Sequence, residues 1–119
     1  MKRLLVIAFA VLVLGGSTAG AAGYPARLQV TGDEYTLALS RLKVPSGRVK
    51  IEFVNFGEDP HDLKLQRIGG THVYAFPKAT SGDRATRTFG LRAGRYHVWC
   101  AIKGHRAKGM HAMLRVTRS

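Results

Sequence analysis

The sequence predicts an all-β protein, folded as a β-sandwich of about seven or eight strands. Most of the chain consists of short runs in which apolar and polar residues alternate, as is typical of strands that bury one face. Glycine, proline, serine and aspartate separate these runs as turn residues, whereas the apolar spacing of a helix is almost absent. The pattern therefore favours one sandwich domain.

Residues 1–22 are predicted to be a secretory signal peptide, which leaves residues 23–119 as the folded domain. Lys2 and Arg3 precede an apolar run from Leu4 to Leu14, and a stretch of small residues follows. This run is about half as long as the roughly 20 residues that span a bilayer, so cleavage is favoured over a membrane anchor. We expect an exported protein, either periplasmic or extracellular.

The first half of the domain contains four predicted strands. Two of them, Ala26–Val30 and Tyr35–Ser40, lie on either side of turn residues. The third, Val49–Asn55, alternates apolar with charged residues along most of its length, which predicts a sheet with one buried side. Leu63 and Leu65 continue the alternation in the fourth.

Three further strands are predicted in the second half, at Arg84–Phe89, Tyr96–Cys100 and Ala112–Val116. The segment from Ile68 to Asp83 contains two adjacent glycines, a proline and a Ser-Gly-Asp cluster. These residues interrupt regular structure, so the segment is interpreted as a long loop with no more than a brief strand or one helical turn.

The chain is strongly basic, with a formal net charge of +12 at pH 7. Removal of Lys2 and Arg3 with the signal peptide would lower this charge by two. Such an excess predicts acidic partners. The basic residues are scattered from Arg27 to Arg118 without a block of like charge or interleaved aromatic residues, so we expect no nucleic-acid binding. Most of these charges are interpreted as a solvated surface.

Cys100 is the only cysteine, so the chain can form no internal disulfide. An unpaired thiol in an exported protein calls for an explanation, because oxidising compartments rarely leave thiols idle. A buried cysteine that acts as a small hydrophobic residue is one explanation. The residues that follow Cys100 favour a metal ligand instead.

Four residues have the chemistry of a copper site. Cys100, His105 and Met110 are spaced C-x4-H-x4-M on one predicted loop, and a thiolate, an imidazole and a thioether form a soft donor set that suits copper. A trigonal site of two histidines and one cysteine with a weak axial methionine needs a second histidine. His61 supplies it from the loop that follows the third strand.

The remaining candidate ligands are given other roles. Alternation along its strand places His97 on the opposite face from Cys100, so His97 is not expected to bind the metal. His72 and His111 are interpreted as surface residues, although His111 directly follows Met110 and could compete for metal. Met113 is predicted to lie in the core.

Two segments of the chain resemble the cupredoxins, the family of type 1 blue copper proteins that includes plastocyanin and azurin. The stretch Val44–Val49, together with Phe53–Gly57 and the histidine that follows, is similar to the segment leading to the family's first histidine ligand. The stretch Leu91–Cys100 is similar to the strand that delivers the cysteine. The resemblance implies a Greek-key β-sandwich and one type 1 copper per chain. It also implies His61, Cys100 and His105 as equatorial ligands, Met110 as the weak axial ligand, and Asp62 in a supporting position beside the first histidine.

The chain also departs from that family in its ligand loop. Lys103 stands where many members place proline before the Gly-His pair. Lys103, Arg106 and Lys108 are basic, whereas the family commonly surrounds this histidine with apolar residues that dock electron-transfer partners. Related domains with a two-copper centre need a second cysteine in the loop, and that variant is excluded here.

The sequence therefore predicts an electron carrier rather than an enzyme, shuttling single electrons via Cu(I)/Cu(II) between redox partner proteins with acidic docking faces. We expect a monomer that contacts membranes only through the signal segment or a membrane-bound redox partner. One alternative is a copper-binding protein for trafficking or buffering. Another is a metal-free sandwich that uses its basic surface against anionic membranes or acidic proteins.

Overall fold

The computed structural model describes residues 23–119, and the predicted signal peptide, residues 1–22, lies outside the described residues. Nine strands and one short helix follow each other along this part of the chain. They are β1 (Ala26–Asp33), β2 (Thr36–Leu39), β3 (Lys43–Pro45), β4 (Gly47–Asn55), β5 (His61–Arg67), β6 (Val73–Ala79), β7 (Arg84–Leu91), β8 (Gly94–Trp99), α1 (His105–Lys108) and β9 (His111–Thr117).

The strands form two mixed sheets. One has the order β2-β1-β4-β7 and the other the order β3-β9-β8-β5-β6. The pairs β1–β4 and β3–β9 are parallel, and the other pairs are antiparallel. Apolar residues of both sheets join in one core, where the rings of Phe53 and Phe76 lie 6.0 Å apart across the two sheets. The predicted all-β sandwich is confirmed.

β4 shows why the alternating pattern predicted a strand with one buried side. Val49, Ile51 and Phe53 are fully buried, whereas Lys50 is exposed on the other face. Burial of each apolar side chain of this kind stabilises the fold by about 1.5–3 kcal/mol. Since β4 pairs with both β1 and β7, its backbone is bonded on both edges and the strand is central to its sheet.

The predicted loop from residue 68 to residue 83 is wrong in part, because it contains the seven-residue strand β6. Pro77 lies within this strand and cannot donate a hydrogen bond, yet β6 is the edge of its sheet, where a proline is tolerated. The short strand β3 is the opposite edge of the same sheet and was not predicted either. These two edge strands raise the count above the expected seven or eight.

The prediction that Met113 lies in the core is also wrong, since Met113 is 41% exposed. In β9 the residues that point inward are Leu114 and Val116. Met113 pairs with His97 on the outer face of the sheet, and His97 is exposed as the alternation predicted.

Three loops meet at one end of the sandwich and position the site. They are the β1–β2 turn, the loop between β4 and β5, and the loop from β8 to β9 that contains α1. The backbone N–H of Phe56 donates to the carbonyl of Gly32 near the end of β1, which joins the second loop to the strand that leads into the first. No helix within residues 23–119 is long and apolar enough to cross a bilayer.

Candidate metal centre

Three donor atoms converge where these loops meet. Nδ1 of His61 lies 3.1 Å from Nδ1 of His105, and that atom lies 3.7 Å from Sγ of Cys100. The three side chains form a group whose ligand atoms all lie within 4.8 Å of one another. His61 and Cys100 are fully buried, whereas His105 is half-buried and turns its Nδ1 toward His61.

The spacing of these atoms fits a single metal ion. Imidazole nitrogens bind first-row metal ions at about 2.0–2.1 Å and thiolates at about 2.3 Å, so donors to one ion stand roughly 3–4 Å apart. The two measured contacts fall within that range. Two imidazoles and one thiolate are the equatorial donors of a blue copper centre, and the group fits one type 1 copper.

Each donor is delivered by a regular element. His61 is the first residue of β5, Cys100 directly follows β8, and His105 is the first residue of α1. Alternation along β8 buries Tyr96 and Val98, and the next inward position is Cys100. The two-residue period of the strand therefore points the cysteine sulfur into the sandwich, directly after the strand ends.

Met110 is fully buried and closes the ligand loop. Its backbone N–H donates to the carbonyl of His105, and its own carbonyl accepts from the N–H of Cys100, both at 3.1 Å. The Met110 backbone therefore ties two predicted ligands together. Its terminal methyl group lies near Gly32, where an added Cβ would be 3.6 Å away. The role of Met110 as axial ligand stays a prediction.

The ligand loop folds into a helical turn that was not predicted. α1 is bounded by Gly104 and Gly109, whose φ angles are +82° and +126°. The N–H of His105 donates to the carbonyl of Ile102 at 3.0 Å, which closes the turn around Lys103, where many cupredoxins have proline. A hydrogen bond thus shapes this segment in place of a proline ring.

Asp62, the neighbour of His61 in β5, connects this strand to the loop that carries Cys100 and His105. Its Oδ1 accepts a 2.6 Å hydrogen bond from the backbone N–H of Ala101, the residue after Cys100. This contact is consistent with the supporting position that the resemblance implied. Burial raises the pKa of the Cys100 thiol above its usual range, so a bound cation is needed to keep the thiolate at neutral pH.

Two residues of the β1–β2 turn border the site and were not predicted to do so. Oε1 of Glu34 lies 3.3 Å from Nε2 of His61, and the ring of Tyr35 packs edge-on against the ring of His105 at 5.0 Å. The backbone N–H of Asp59 donates to the Glu34 carboxylate and is the main cause of its lowered pKa. The available signal was the acidic pair Asp33-Glu34 in a chain with only seven acidic residues.

Aromatic rings hold two basic side chains at the rim of the site. Nζ of Lys108 lies 4.3 Å from the centre of the Tyr35 ring, and the guanidinium of Arg106 lies 5.1 Å from the centre of the Trp99 ring. Both contacts are within the range of cation–π attraction. His72 and His111 are exposed, as predicted, and neither belongs to the donor group.

Solved structures show what fold this chain has. No protein-family model matches the chain, and no curated protein matches it in sequence. Among solved structures, it is similar to a dithionite-reduced auracyanin from Roseiflexus castenholzii, with 20% identity and a TM-score of 0.66 over 80% of this chain and 99% of that one.

Two further structures show the same likeness. Auracyanin A, a "blue" copper protein from Chloroflexus aurantiacus, is 18% identical with a TM-score of 0.64 over 79% of this chain and all of that one. Rusticyanin from Thiobacillus ferrooxidans is 16% identical with a TM-score of 0.62 over 79% of each chain. The fold of this chain is that of the cupredoxins, and its donor group fits their type 1 copper.

Proposed function

We propose that this chain is an exported type 1 copper protein that carries single electrons between redox partners. The observation that supports this most directly is the convergence of two imidazole nitrogens and one thiol sulfur within 4.8 Å at one end of the sandwich. The solved structures with the same fold include a protein described as a blue copper protein. A donor set of two imidazoles and one thiolate supports a carrier role.

The chain's own contribution would be to hold the donors still. Copper, when bound, supplies the one-electron couple. Hydrogen bonds from Cys100 to Met110 and from Ala101 to Asp62 fix the ligand loop on β5, so the donor positions can remain the same in both oxidation states. Little atomic rearrangement then accompanies the transfer of an electron.

His105 is the proposed route for the electron. Its Nδ1 faces the buried donors, and it is the only one of the three donor residues that is half-buried and not fully buried. His61 and Cys100 are closed to solvent, which limits water access and so influences the reduction potential. Nothing in this scheme makes or breaks a substrate bond, so we propose a carrier and not an enzyme.

The test is a visible absorption and electron paramagnetic resonance spectrum of residues 23–119 after one equivalent of Cu(II). We expect an intense thiolate-to-copper charge-transfer band that disappears on reduction and is absent from Cys100→Ser. Met110→Leu should alter the band and raise the potential if Met110 is the axial ligand, whereas Met113→Leu, a matched change on the outer face, should leave both unchanged.

Two other outcomes would contradict an electron carrier. A colourless protein that binds Cu(I) tightly without the band would support copper trafficking or buffering. A protein that binds no copper would leave only a β-sandwich with a basic surface. In either case the proposed role of the donor group would be abandoned.

A further inference from the structure

The Glu34 carboxylate faces the ring edge of His61 that points away from the other donors. We infer that Glu34 is a positioning residue of the copper site, which fixes the tautomer of His61 and favours Cu(II) over Cu(I). This inference rests on the proposed function. It assigns a role to a turn residue outside the ligand segments.

The two ring nitrogens of His61 face different residues. Its Nε2 lies 3.3 Å from Oε1 of Glu34, and its Nδ1 faces Nδ1 of His105 at 3.1 Å. A neutral imidazole carries one N–H, and a carboxylate can only accept. The proton therefore belongs on Nε2, which leaves the lone pair of Nδ1 free for the metal.

The Glu34 carboxylate is itself held in place. The N–H of Asp59 donates to its Oε1 at 2.6 Å, and Asp33 Oδ1 accepts from the Glu34 backbone N–H at 2.8 Å. A Cβ at Gly57 would lie 2.5 Å from Glu34 Oε1, so only a glycine there allows the carboxylate to approach. The loop that leads to His61 thus holds the Glu34 carboxylate in place.

The negative charge of Glu34 determines which oxidation state of copper is favoured. The Glu34 carboxylate lies 3.3 Å from the fully buried ring of His61, so its negative charge is in direct contact with a proposed ligand. A negative charge stabilises the more positive oxidation state. Hydrogen bonding to the carboxylate also makes the imidazole a stronger donor, which again favours Cu(II).

The experiment compares Glu34→Gln with Glu58→Gln in the copper-loaded protein. Glutamine can still accept from His61 Nε2 and from Asp59 but carries no charge, so the site should stay intact. We expect the ratio of Cu(II) to Cu(I) affinities to fall about tenfold in Glu34→Gln, which raises the potential by about 59 mV for a one-electron couple. Glu58→Gln removes the same charge from an exposed position in the neighbouring loop and should change the ratio less than twofold. Equal shifts in the two variants would overturn the inference.

The tautomer of His61 can be measured without copper. Nitrogen-15 NMR of the metal-free protein should show His61 protonated at Nε2, and Glu34→Ala should mix the two tautomers. A wild-type His61 protonated at Nδ1 would overturn the positioning role. Absence of the charge-transfer band in the wild type would instead contradict the proposed function, so the two failures are distinguishable.

Discussion

Asn55, the last residue of β4, determines how the chain reaches the first histidine. It is fully buried, yet all of its side-chain hydrogen-bonding atoms have partners. Its Nδ2 donates to the carbonyls of Asp59 and Ala79, and its Oδ1 accepts from the N–H of Gly57. One side chain thereby bonds three backbone groups beyond the end of the strand.

Replacement of Asn55 by alanine should therefore cost more than a surface change. The Asn55→Ala variant loses three hydrogen bonds and leaves buried backbone groups unpaired, so we expect the free energy of unfolding to fall by about 2–3 kcal/mol. Gln29→Ala is the control, because Gln29 donates one exposed hydrogen bond to Glu52. It should change stability by no more than about 0.5 kcal/mol. Denaturant titration of both metal-free variants measures the difference, and equal costs would refute a special role for Asn55.

At the scale of elements, the ligand loop illustrates how glycine permits close packing. Gly104 and Gly109 flank α1, and both have positive φ angles. They differ in their surroundings, because a Cβ at Gly109 would lie 2.8 Å from the carbonyl oxygen of Tyr35 whereas a Cβ at Gly104 would meet nothing within 4 Å. Gly109 thus allows the loop to rest directly on the β1–β2 turn.

The two glycines provide a matched pair of substitutions. Gly104→Ala should cost only the conformational penalty, about 1–2 kcal/mol. Gly109→Ala adds a collision with fixed backbone, so we expect about 3 kcal/mol or more, together with a changed charge-transfer band as the loop shifts. Thermal unfolding of the metal-free forms and spectra of the copper-loaded forms provide the measurements. A Gly109→Ala protein as stable as Gly104→Ala would show that the loop yields without cost.

Whether a strand could be predicted from the sequence depended on its position in the sheet. β4 and β8 are flanked on both sides and buried on one face, so their alternation is strong. β3 and β6 are edge strands whose sequences contain proline, and proline is interpreted in a sequence as an interruption of regular structure. α1 is too short to show a helical period, since it spans His105–Lys108 only.

At the scale of the whole molecule, charge is distributed unevenly around the site. Acidic residues of the β1–β2 turn and the next loop, Glu34 and Asp59, lie beside His61. The basic residues Lys103, Arg106 and Lys108 are exposed around His105, and aromatic rings hold two of them in place. From this arrangement we propose that an acidic redox partner docks over His105.

Steering by these charges should be visible in electron-transfer rates. A triple variant, Lys103→Gln with Arg106→Gln and Lys108→Gln, should slow electron exchange with anionic hexacyanoferrate several-fold at about 0.1 M salt and weaken its salt dependence. A control triple at Lys43, Arg95 and Arg115 removes the same charge from three paired strands. These residues lie roughly 15 Å along β9 from the ligand loop, beyond the screening length of about 10 Å at 0.1 M salt, so the two triples are compared at about 0.1 M salt and above. Stopped-flow rates across a range of ionic strengths test this, and identical salt slopes for both triples would exclude local steering.

The sequence by itself determined the sandwich and the donor types, because both depend on local patterns. Burial of one strand face imposes a period of two, and the C-x4-H-x4-M spacing places three donors on one loop. Only the tertiary structure decided that Glu34 and Tyr35 border the site. They come from the β1–β2 turn, which meets His61 and His105 through the pairing of distant strands, and such contacts leave no periodic trace in the sequence.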